Sequence, residues 1–180
     1  MSDQNWQPGD KRPDTDSMIR VDQAGEFGAT RIYAGQLAVL GEDSHTAHLV
    51  THMAAQEERH LERFNQLMAE RRVRPTLLEP FWNVAGFGLG AVTALMGPKA
   101  AMACTDAVET EIDKHYEEQL RSLGQDDPEL SADIRQFQAE ELEHRETARA
   151  HGSEEAVAYP LMTALIRAGC KVAIGLSKRI

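Results

Sequence analysis

Two short stretches of the sequence each place a glutamate three residues before a histidine, Glu57 with His60 and Glu141 with His144. Residues three apart on a helix lie on the same face, so each pair can direct a carboxylate and an imidazole at one point. Both pairs continue an apolar stripe of their helix. The stripe residues are Val50, Met53, Leu61, Phe64 and Met68 for the first pair, and Leu130, Ile134, Phe137 and Ala148 for the second. Because a buried carboxylate is costly unless it is paired or binds a metal, these pairs predict a metal site.

A single glutamate precedes each of these pairs at nearly the same distance. Glu26 lies 31 residues before Glu57, and Glu109 lies 32 residues before Glu141. We therefore interpret the chain as two helical hairpins, in which the first helix supplies one glutamate and the second supplies a glutamate and a histidine. This is the ligand set of the ferritin-like di-iron or di-manganese carboxylate proteins. The alternative, that these are solvated surface acids, leaves their matched order and register without a cause.

The donor types restrict the chemistry of such a site. Carboxylates and imidazoles suit iron or manganese, whereas zinc–thiolate and iron–sulfur sites need cysteine clusters. The two cysteines, Cys104 and Cys170, have no zinc-site spacing, and we expect them to be reduced and buried. Two carboxylate-bridged metals can bind and activate O₂. Since no flavin or nucleotide motif and no four-cysteine site is present, we expect further electrons to come from an external reductant or from a reduced substrate.

Length and composition indicate one helical domain. The chain has 180 residues, enough for one substantial core, and 42% of them are hydrophobic. The formal net charge of −10 argues against a nucleic-acid partner. Residues 1–16 are mostly polar and lack the pattern of a secretory signal or transit peptide, so we expect a flexible N-terminal segment. This composition favours a cytosolic, reducing context in a bacterium.

The segments that must position the six residues predict an all-α fold. We expect a ferritin-like four-helix bundle, residues 17–180, with a long crossover between its hairpins and an additional C-terminal helix. Capping residues, prolines and glycines predict the helix bounds. The predicted bundle helices run from Asp16 or Ser17 to Gly41, from Ser44 to about Arg72, from Pro98 to Gly124, and from Asp127 to Gly152.

Two features of these helices have more than one interpretation. Gly25 and Gly28 flank Glu26 inside the first helix, where each costs roughly 0.5–1 kcal/mol relative to alanine. They either leave space for metal or substrate beside Glu26 or permit close helix packing. Three histidines with helical spacing on the second helix are interpreted as surface residues, because no carboxylate or cysteine completes a metal-binding set. They are His45, His48 and His52.

Two apolar segments lie outside the predicted bundle helices. Residues 81–97 are the least polar stretch of the chain; they are too short and too rich in glycine for a spanning helix, and they suit the crossover. Residues 156–180 combine apolar residues with a basic charge block, and we expect a helix there with Ser153 as its N-cap. The basic residues are Arg167, Lys171, Lys178 and Arg179. We predict peripheral contact with an anionic membrane; the alternative is a fifth core helix with a solvated basic side.

Five blocks of the sequence carry a resemblance that extends from Ser17 to the C-terminus. They are Arg20–Gln36, Ala107–Glu109, His115–Tyr116, Glu140–His144 and Ala168–Ile174. Together they resemble the demethoxyubiquinone hydroxylase family of ubiquinone biosynthesis. The resemblance implies a ferritin-like fold with two irons, bound by Glu26, Glu57, His60, Glu109, Glu141 and His144. It also implies O₂-dependent ring hydroxylation of demethoxyubiquinol by an enzyme attached peripherally to the cytoplasmic side of the membrane that holds this polyprenyl quinol.

The resemblance also bears on positions outside this ligand set. Gln23 stands where many members of the family have a histidine, and it lies off the predicted ligand face. His115 and Tyr116 match a family pair associated with electron entry; an interior aromatic residue and its neighbour would look the same. The partners that the resemblance implies are O₂, an external reductant and other ubiquinone-biosynthesis proteins.

Two other functional classes share parts of this pattern. A ferritin-like iron store or ferroxidase would use the same ligands, but it would not need the apolar crossover or the basic C-terminal segment. A non-catalytic scaffold for quinone-biosynthesis enzymes would not need six aligned metal ligands. The di-iron quinol hydroxylase is therefore the favoured hypothesis.

Overall fold

The computed structural model describes residues 13–42 and 44–179, which form six α-helices and no β-strand. The helices are α1 (Thr15–Leu37), α2 (His45–Arg71), α3 (Glu79–Leu95), α4 (Pro98–Leu123), α5 (Pro128–Ala150) and α6 (Tyr159–Ser177). A short 3-10 helix, Ser153–Glu155, lies between α5 and α6. The predicted all-α class is confirmed, and the arrangement is that of a ferritin-like helical bundle. Most of the predicted flexible segment, residues 1–16, lies outside the described residues.

Local signals explain where the second and later bundle helices begin and end. Ser44 and Asp127 cap α2 and α5, each accepting a backbone N–H bond from the first turn through its side chain. Pro98 opens α4, where its missing N–H is not needed, and Gly124 follows the last residue of that helix with a positive φ of 54°. These bounds agree with the sequence-based prediction.

The predicted bounds of the first helix were wrong. Asp14, not Asp16 or Ser17, caps α1, because its side chain accepts the backbone N–H of Ser17 at 3.1 Å. The helix ends at Leu37 rather than at Gly41. A run of neighbouring capping residues leaves the choice of cap to tertiary packing.

The predicted start of the C-terminal helix was also wrong. Ser153 does not cap a continuous helix; its hydroxyl donates instead to the buried Asp106 of α4 at 3.1 Å. The chain leaves the 3-10 turn through Ala158, which is in the left-handed region with a φ of 57°, and only then enters α6. The contact with α4 therefore sets where this helix begins.

The predicted crossover, residues 81–97, is largely the helix α3, which packs along α1. Glycines permit the close approach of these two helices. A Cβ at Gly35 would lie 2.1 Å from the carbonyl oxygen of Phe87, and a Cβ at Gly90 would lie 1.9 Å from that of Ile32. Since Cβ atoms do not tolerate such distances, only glycine allows this crossing.

Two of the apolar clusters in the core contain residues of both α2 and α5. One cluster contains Phe64 of α2 and Phe137 of α5, and the other contains Met53 of α2 and Ala148 of α5. The segments Gln56–His60 and Glu140–His144 lie between these cluster residues along their helices. The predicted apolar stripes are buried except for Leu61, which is half-buried. The two Glu-x-x-His pairs thus face the interior between two apolar layers.

Candidate metal centre

The four helices of the bundle bring the six predicted residues together in its interior. α1 and α4 each supply one glutamate, and α2 and α5 each supply a glutamate and a histidine. Each of these residues is at most 1% exposed. They are Glu26, Glu57, His60, Glu109, Glu141 and His144.

The six residues form two overlapping groups, each of which could hold a metal ion. In each group every residue offers one ligand atom, and these atoms lie within 4.8 Å of one another. The first group is Glu26, Glu57, His60 and Glu141, and the second is Glu57, Glu109, Glu141 and His144. Because Glu57 and Glu141 belong to both groups, their carboxylates can bridge two ions.

Several buried polar atoms of these residues have no hydrogen-bond partner. They are Glu26 Oε2, both carboxylate oxygens of Glu57, His60 Nδ1, Glu109 Oε2 and Glu141 Oε1. His60 Nδ1 lies 3.1 Å from Glu141 Oε1 and 3.5 Å from Glu26 Oε2, but neither contact has hydrogen-bond geometry. Buried acceptors are rarely left unpartnered, so the donor set fits a bound cation.

A chain of hydrogen bonds orients both imidazoles. Glu140 is exposed only in part, and its Oε2 accepts from His60 Nε2 at 3.1 Å and from Gln56 Nε2 at 3.2 Å. The amide oxygen of Gln56 therefore faces His144 and accepts from its Nε2 at 3.0 Å. In both histidines Nε2 is engaged on the outside of the site, and Nδ1 is directed at the carboxylates inside it. This is how a ligating histidine is usually held.

His144 gives a second test of the fit. With its proton on Nε2, the neutral ring presents a lone pair from Nδ1, yet Nδ1 lies 3.1 Å from oxygen atoms of both Glu57 and Glu141. Burial lowers the pKa of His144, which favours this neutral form. A lone pair facing two carboxylate groups at this distance requires either a carboxyl proton or a metal cation between them.

Burial and mutual repulsion shape the electrostatics of the metal-free site. Burial raises the pKa of both Glu57 and Glu109, and the negative charge of Glu141 raises each further. Burial alone would lower the pKa of His60, but the nearby carboxylates of Glu141 and Glu26 favour the protonated ring and raise its pKa to about 10. The metal-free site therefore retains protons, which metal ions would replace on binding.

Two buried tyrosines bind the outer glutamates of the site. Tyr33 of α1 donates its hydroxyl proton to Glu109 Oε1 of α4 at 2.8 Å. Tyr116 of α4 donates to Glu26 Oε1 of α1. Each tyrosine lies seven residues after the glutamate of its own helix and binds the glutamate of the other. This repeated Glu-x₆-Tyr spacing is the sequence signal that would have found both residues.

The site also has a polar extension towards His115. This side chain is buried, with its Nε2 at 3.4 Å from Asp22 Oδ1 and 2.9 Å from Gln119 Nε2. Gln23 points elsewhere: it donates to Asn65 Oδ1 at 3.2 Å and touches none of the six central residues through a hydrogen bond. The prediction that Gln23 lies off the ligand face is thus confirmed.

Comparisons with known proteins show the family. The family profile described as ubiquinone biosynthesis protein COQ7 matches residues 13–177. The chain belongs to the COQ7 family. It is 55% identical over 175 residues to a 3-demethoxyubiquinol 3-hydroxylase of Rhodospirillum rubrum, covering 96% of this chain and 82% of the relative.

Relatives from eukaryotes are nearly as similar to this COQ7-family chain. The mitochondrial NADPH-dependent 3-demethoxyubiquinone 3-hydroxylase of Mus musculus is 54% identical over 172 residues, with 93% of this chain and 79% of the relative covered. The mitochondrial 5-demethoxyubiquinone hydroxylase of Saccharomyces cerevisiae is 45% identical over 181 residues, with 92% and 78% covered. The resemblance noted in the sequence is therefore confirmed.

An apolar cavity of about 410 Å³ lies beside the candidate metal centre of this COQ7-family chain, between α1, α3, α4 and α6. Its lining includes Gly25, next to Glu26, and Val108, next to Glu109. Gly25 and Gly28 both face open space, since a Cβ at either would meet no atom within 4 Å. Of the two interpretations of these glycines, space beside Glu26 is therefore the one that the structure supports.

The basic block of the C-terminal segment is partly neutralised by α4. The Nε of Arg167 donates to Glu111 Oε1 at 2.7 Å, and the Nζ of Lys171 lies 3.7 Å from Glu111 Oε2. Burial opposes ionisation of Glu111, but hydrogen bonds from Arg167 and Lys114 lower its pKa below the ordinary value. Arg167 and Lys171 thus hold α6 against the bundle, so that part of the basic side of this helix is paired with α4.

Large apolar side chains are exposed on α3, on α6 and in the segments next to them. They include Phe81, Val84, Val92, Leu95 and Met96 on the first side, and Val157, Leu161, Leu165 and Val172 on the second. Among the described residues, only α6 is long and apolar enough to cross a membrane, by length and composition alone. The three histidines of α2, by contrast, are exposed as predicted and join no metal-binding group among the described residues.

Proposed function

We propose that this protein is a di-iron monooxygenase that hydroxylates the ring of demethoxyubiquinol with O₂ in ubiquinone biosynthesis. The observation that carries the proposal is the pair of buried four-residue groups that share Glu57 and Glu141. Membership of the COQ7 family, whose relatives are named as hydroxylases of demethoxyubiquinol or demethoxyubiquinone, supports the substrate class. One oxygen atom of O₂ replaces a ring hydrogen as hydroxyl, and the other leaves as water. This hydroxylation consumes two electrons and two protons, which an external reductant supplies.

The ligand assignment follows from the two groups. Glu26 and His60 would hold one iron, Glu109 and His144 would hold the other, and Glu57 and Glu141, which belong to both groups, would be available to both. Oxygen and nitrogen donors without sulfur suit iron, and bound iron supplies a site at which O₂ can be bound and reduced. Tyr33 and Tyr116 each hold one oxygen of an outer carboxylate, so the second oxygen remains available to the metal.

The surroundings of the centre keep water away from it. Phe137 stacks on the ring of His60 with a centroid separation of 4.1 Å, and Phe64 packs edge-on against Phe137. The rings of Tyr33 and His144 pack edge to face, with their centroids 6.4 Å apart. The exclusion of water strengthens the electrostatic interactions inside the site and limits side reactions of activated oxygen with solvent.

The apolar cavity is the candidate site for the quinol ring. Its volume lies within the range of small-molecule sites, and its lining is almost entirely apolar. The open space at Gly25 and Gly28 allows a ring to approach α1 beside Glu26. Trp82 of α3 and Cys170 of α6 line the far side, so the cavity reaches the two helices that expose apolar side chains.

The apolar tail of the proposed substrate favours an enzyme that is attached peripherally to the membrane. In a bacterium this would be the cytoplasmic side of the cell membrane. Moving each CH₂ of a polyprenyl tail into water costs roughly 0.8 kcal/mol, so the tail remains in lipid while the ring enters the protein. The exposed apolar side chains of α3 and α6 are the surface that would meet the lipid. Although α6 is long enough to span a bilayer, its ion pairs with Glu111 favour a helix that lies on the bundle.

Product analysis with labelled oxygen tests the proposal. The iron-loaded protein is supplied with demethoxyubiquinol, a two-electron reductant and ¹⁸O₂, and the quinol is analysed by mass spectrometry. We expect one labelled hydroxyl per product molecule and no product without iron. Iron oxidation and storage without a hydroxylated quinol would favour the ferroxidase alternative, and absence of both activities would favour the scaffold.

A further inference from the structure

The outer hydrogen bonds of the two histidines differ in chemistry although their positions match. The residue before each ligand glutamate, Gln56 on α2 and Glu140 on α5, reaches the histidine of the other helix. His60 is therefore bound to a carboxylate, whereas His144 is bound to a neutral amide. The buried pair of Asp22 and His115 is also present in only one half, near Glu26, but Glu140 is the charged difference that bonds directly to a histidine of the centre.

Hydrogen bonds from four side chains hold the Glu140 carboxylate in this position. Its Oε2 accepts from His60 Nε2 at 3.1 Å, from Gln56 Nε2 at 3.2 Å and from Arg59 at 3.3 Å. Its Oε1 accepts from Gln136 Nε2 at 3.2 Å. Four donors therefore hold one carboxylate, and through Gln56 the same carboxylate also sets the orientation of His144.

We propose that Glu140 is a positioning residue that makes the two metal positions unequal, so that the position of His60 binds its ion first and more tightly. A carboxylate accepts a charge-assisted hydrogen bond that is roughly twice as strong as that of an amide, and it makes the ligating nitrogen more basic. Outer partners of this kind change metal affinity by about 10–100-fold. The inference rests on the proposed metal centre and adds an order of loading to it.

Anaerobic titration with Co²⁺, followed by absorption and by competition with a chelator, tests the order. In the wild-type protein we expect two binding steps whose dissociation constants differ by about tenfold or more. Glu140→Gln should weaken the tight step by about 10–100-fold and bring the two steps together. Glu143→Gln, which removes a charge from the exposed face of the same helix, is the matched control and should change neither step by more than about twofold.

A double variant that exchanges the residues at positions 56 and 140 distinguishes a positioning role of Glu140 from a general loss of structure. The double variant Gln56→Glu with Glu140→Gln keeps the net charge and moves the carboxylate to His144, so the order of loading should reverse. Proton NMR of half-loaded protein reports the order, because the shifted Nε2–H signal belongs to the histidine beside the occupied position; His60→Ala and His144→Ala assign the signals. Should Glu140→Gln fail to fold, this double variant still tests the inference.

The outcomes distinguish this inference from the proposed function. Two Co²⁺ ions bound in the same order by wild type and by the exchanged variant would overturn the role of Glu140 and leave the metal centre intact. Equal weakening of both steps in Glu140→Gln would do the same. No Co²⁺ binding by the folded wild-type protein would overturn the metal centre itself, and the inference with it.

Discussion

Tyr33 on α1 donates its hydroxyl proton at 2.8 Å to Glu109 on α4, although the glutamate of its own helix is only seven residues away. Tyr116 on α4 makes the reciprocal bond to Glu26 on α1. The first helices of the two hairpins are therefore joined by a crossed pair of buried hydrogen bonds. These bonds fix the outer carboxylates, each of which would otherwise be free to rotate away from the centre.

Tyr33→Phe should weaken metal binding as well as stability. The change leaves Glu109 Oε1 buried without a donor, which should lower the free energy of unfolding by about 1–3 kcal/mol. Tyr159→Phe is the matched control, since this hydroxyl donates to Asp106 at 2.6 Å away from the site. Denaturant unfolding should show a loss in both variants, and metal analysis should show a loss in Tyr33→Phe alone. Equal metal content in the two variants would contradict the role of Tyr33.

The shared glutamates should matter more for metal content than the outer ones. Glu57→Ala or Glu141→Ala removes a ligand from both groups, so we expect less than one iron per chain after anaerobic loading. Glu109→Ala removes a ligand from one group only and should retain about one iron. Iron analysis of the folded variants checks this. Two irons in Glu57→Ala would show that this carboxylate is not a ligand.

The ion pairs of Glu111 predict a pH dependence of stability. The pKa of Glu111 is lowered in the folded state, so its contribution is present above the ordinary carboxyl value of 4.5 and is lost as the pH falls through the folded-state pKa. Glu111→Gln should lower the free energy of unfolding by about 1 kcal/mol at pH 7, and the difference should shrink below pH 4.5 and vanish below the folded-state pKa. Glu117→Gln, an exposed change on the same helix, is the control. A difference that persists unchanged at low pH would argue for packing alone.

Two kinds of glycine in the same fold should respond differently to a side chain. Gly90→Ala forces a Cβ against the carbonyl of Ile32 and should destabilise the α1–α3 crossing by about 1–3 kcal/mol. Gly28→Leu fills open space in the cavity and should leave iron content intact. It should slow hydroxylation of the long-chain quinol more than that of a short-chain analogue, as steady-state rates would show. An equal loss for both substrates would place the entry route elsewhere.

Apolar contacts, more than basic residues, should bind the protein to lipid. Phe81 and Leu95 of α3 are 60% and 73% exposed, and their replacement by serine should reduce partitioning into vesicles by more than about tenfold, since each contributes on the order of 1 kcal/mol. Serine at Ala69 and Ala139, exposed on α2 and α5, is the control. Co-sedimentation with neutral and anionic vesicles measures the effect. Unchanged binding of the α3 variant would move the lipid contact to another surface.

Much of the site followed from the sequence because its signals are periodic and local. The three-residue spacing of Glu57 and His60, in line with an apolar stripe, places both on the buried face of one helix. This follows from helix geometry alone and does not depend on how the other helices pack. The matched spacing of Glu26 and Glu109 before their partners then indicated two hairpins. Short-range signals also predicted the caps Ser44 and Asp127.

Tertiary structure alone decided which partner each of these side chains meets. That Tyr33 binds Glu109, that Gln56 and Glu140 cross to opposite histidines, and that Arg167 binds Glu111 depend on the rotation and offset of one helix against another. Gly28 and Gly90 look alike in the sequence, yet one faces a cavity and the other a carbonyl. The periodicity of a helix determines which face is buried. The partner on that face is determined only by the packing of the helices, in which residues far apart in the chain compete for the same space.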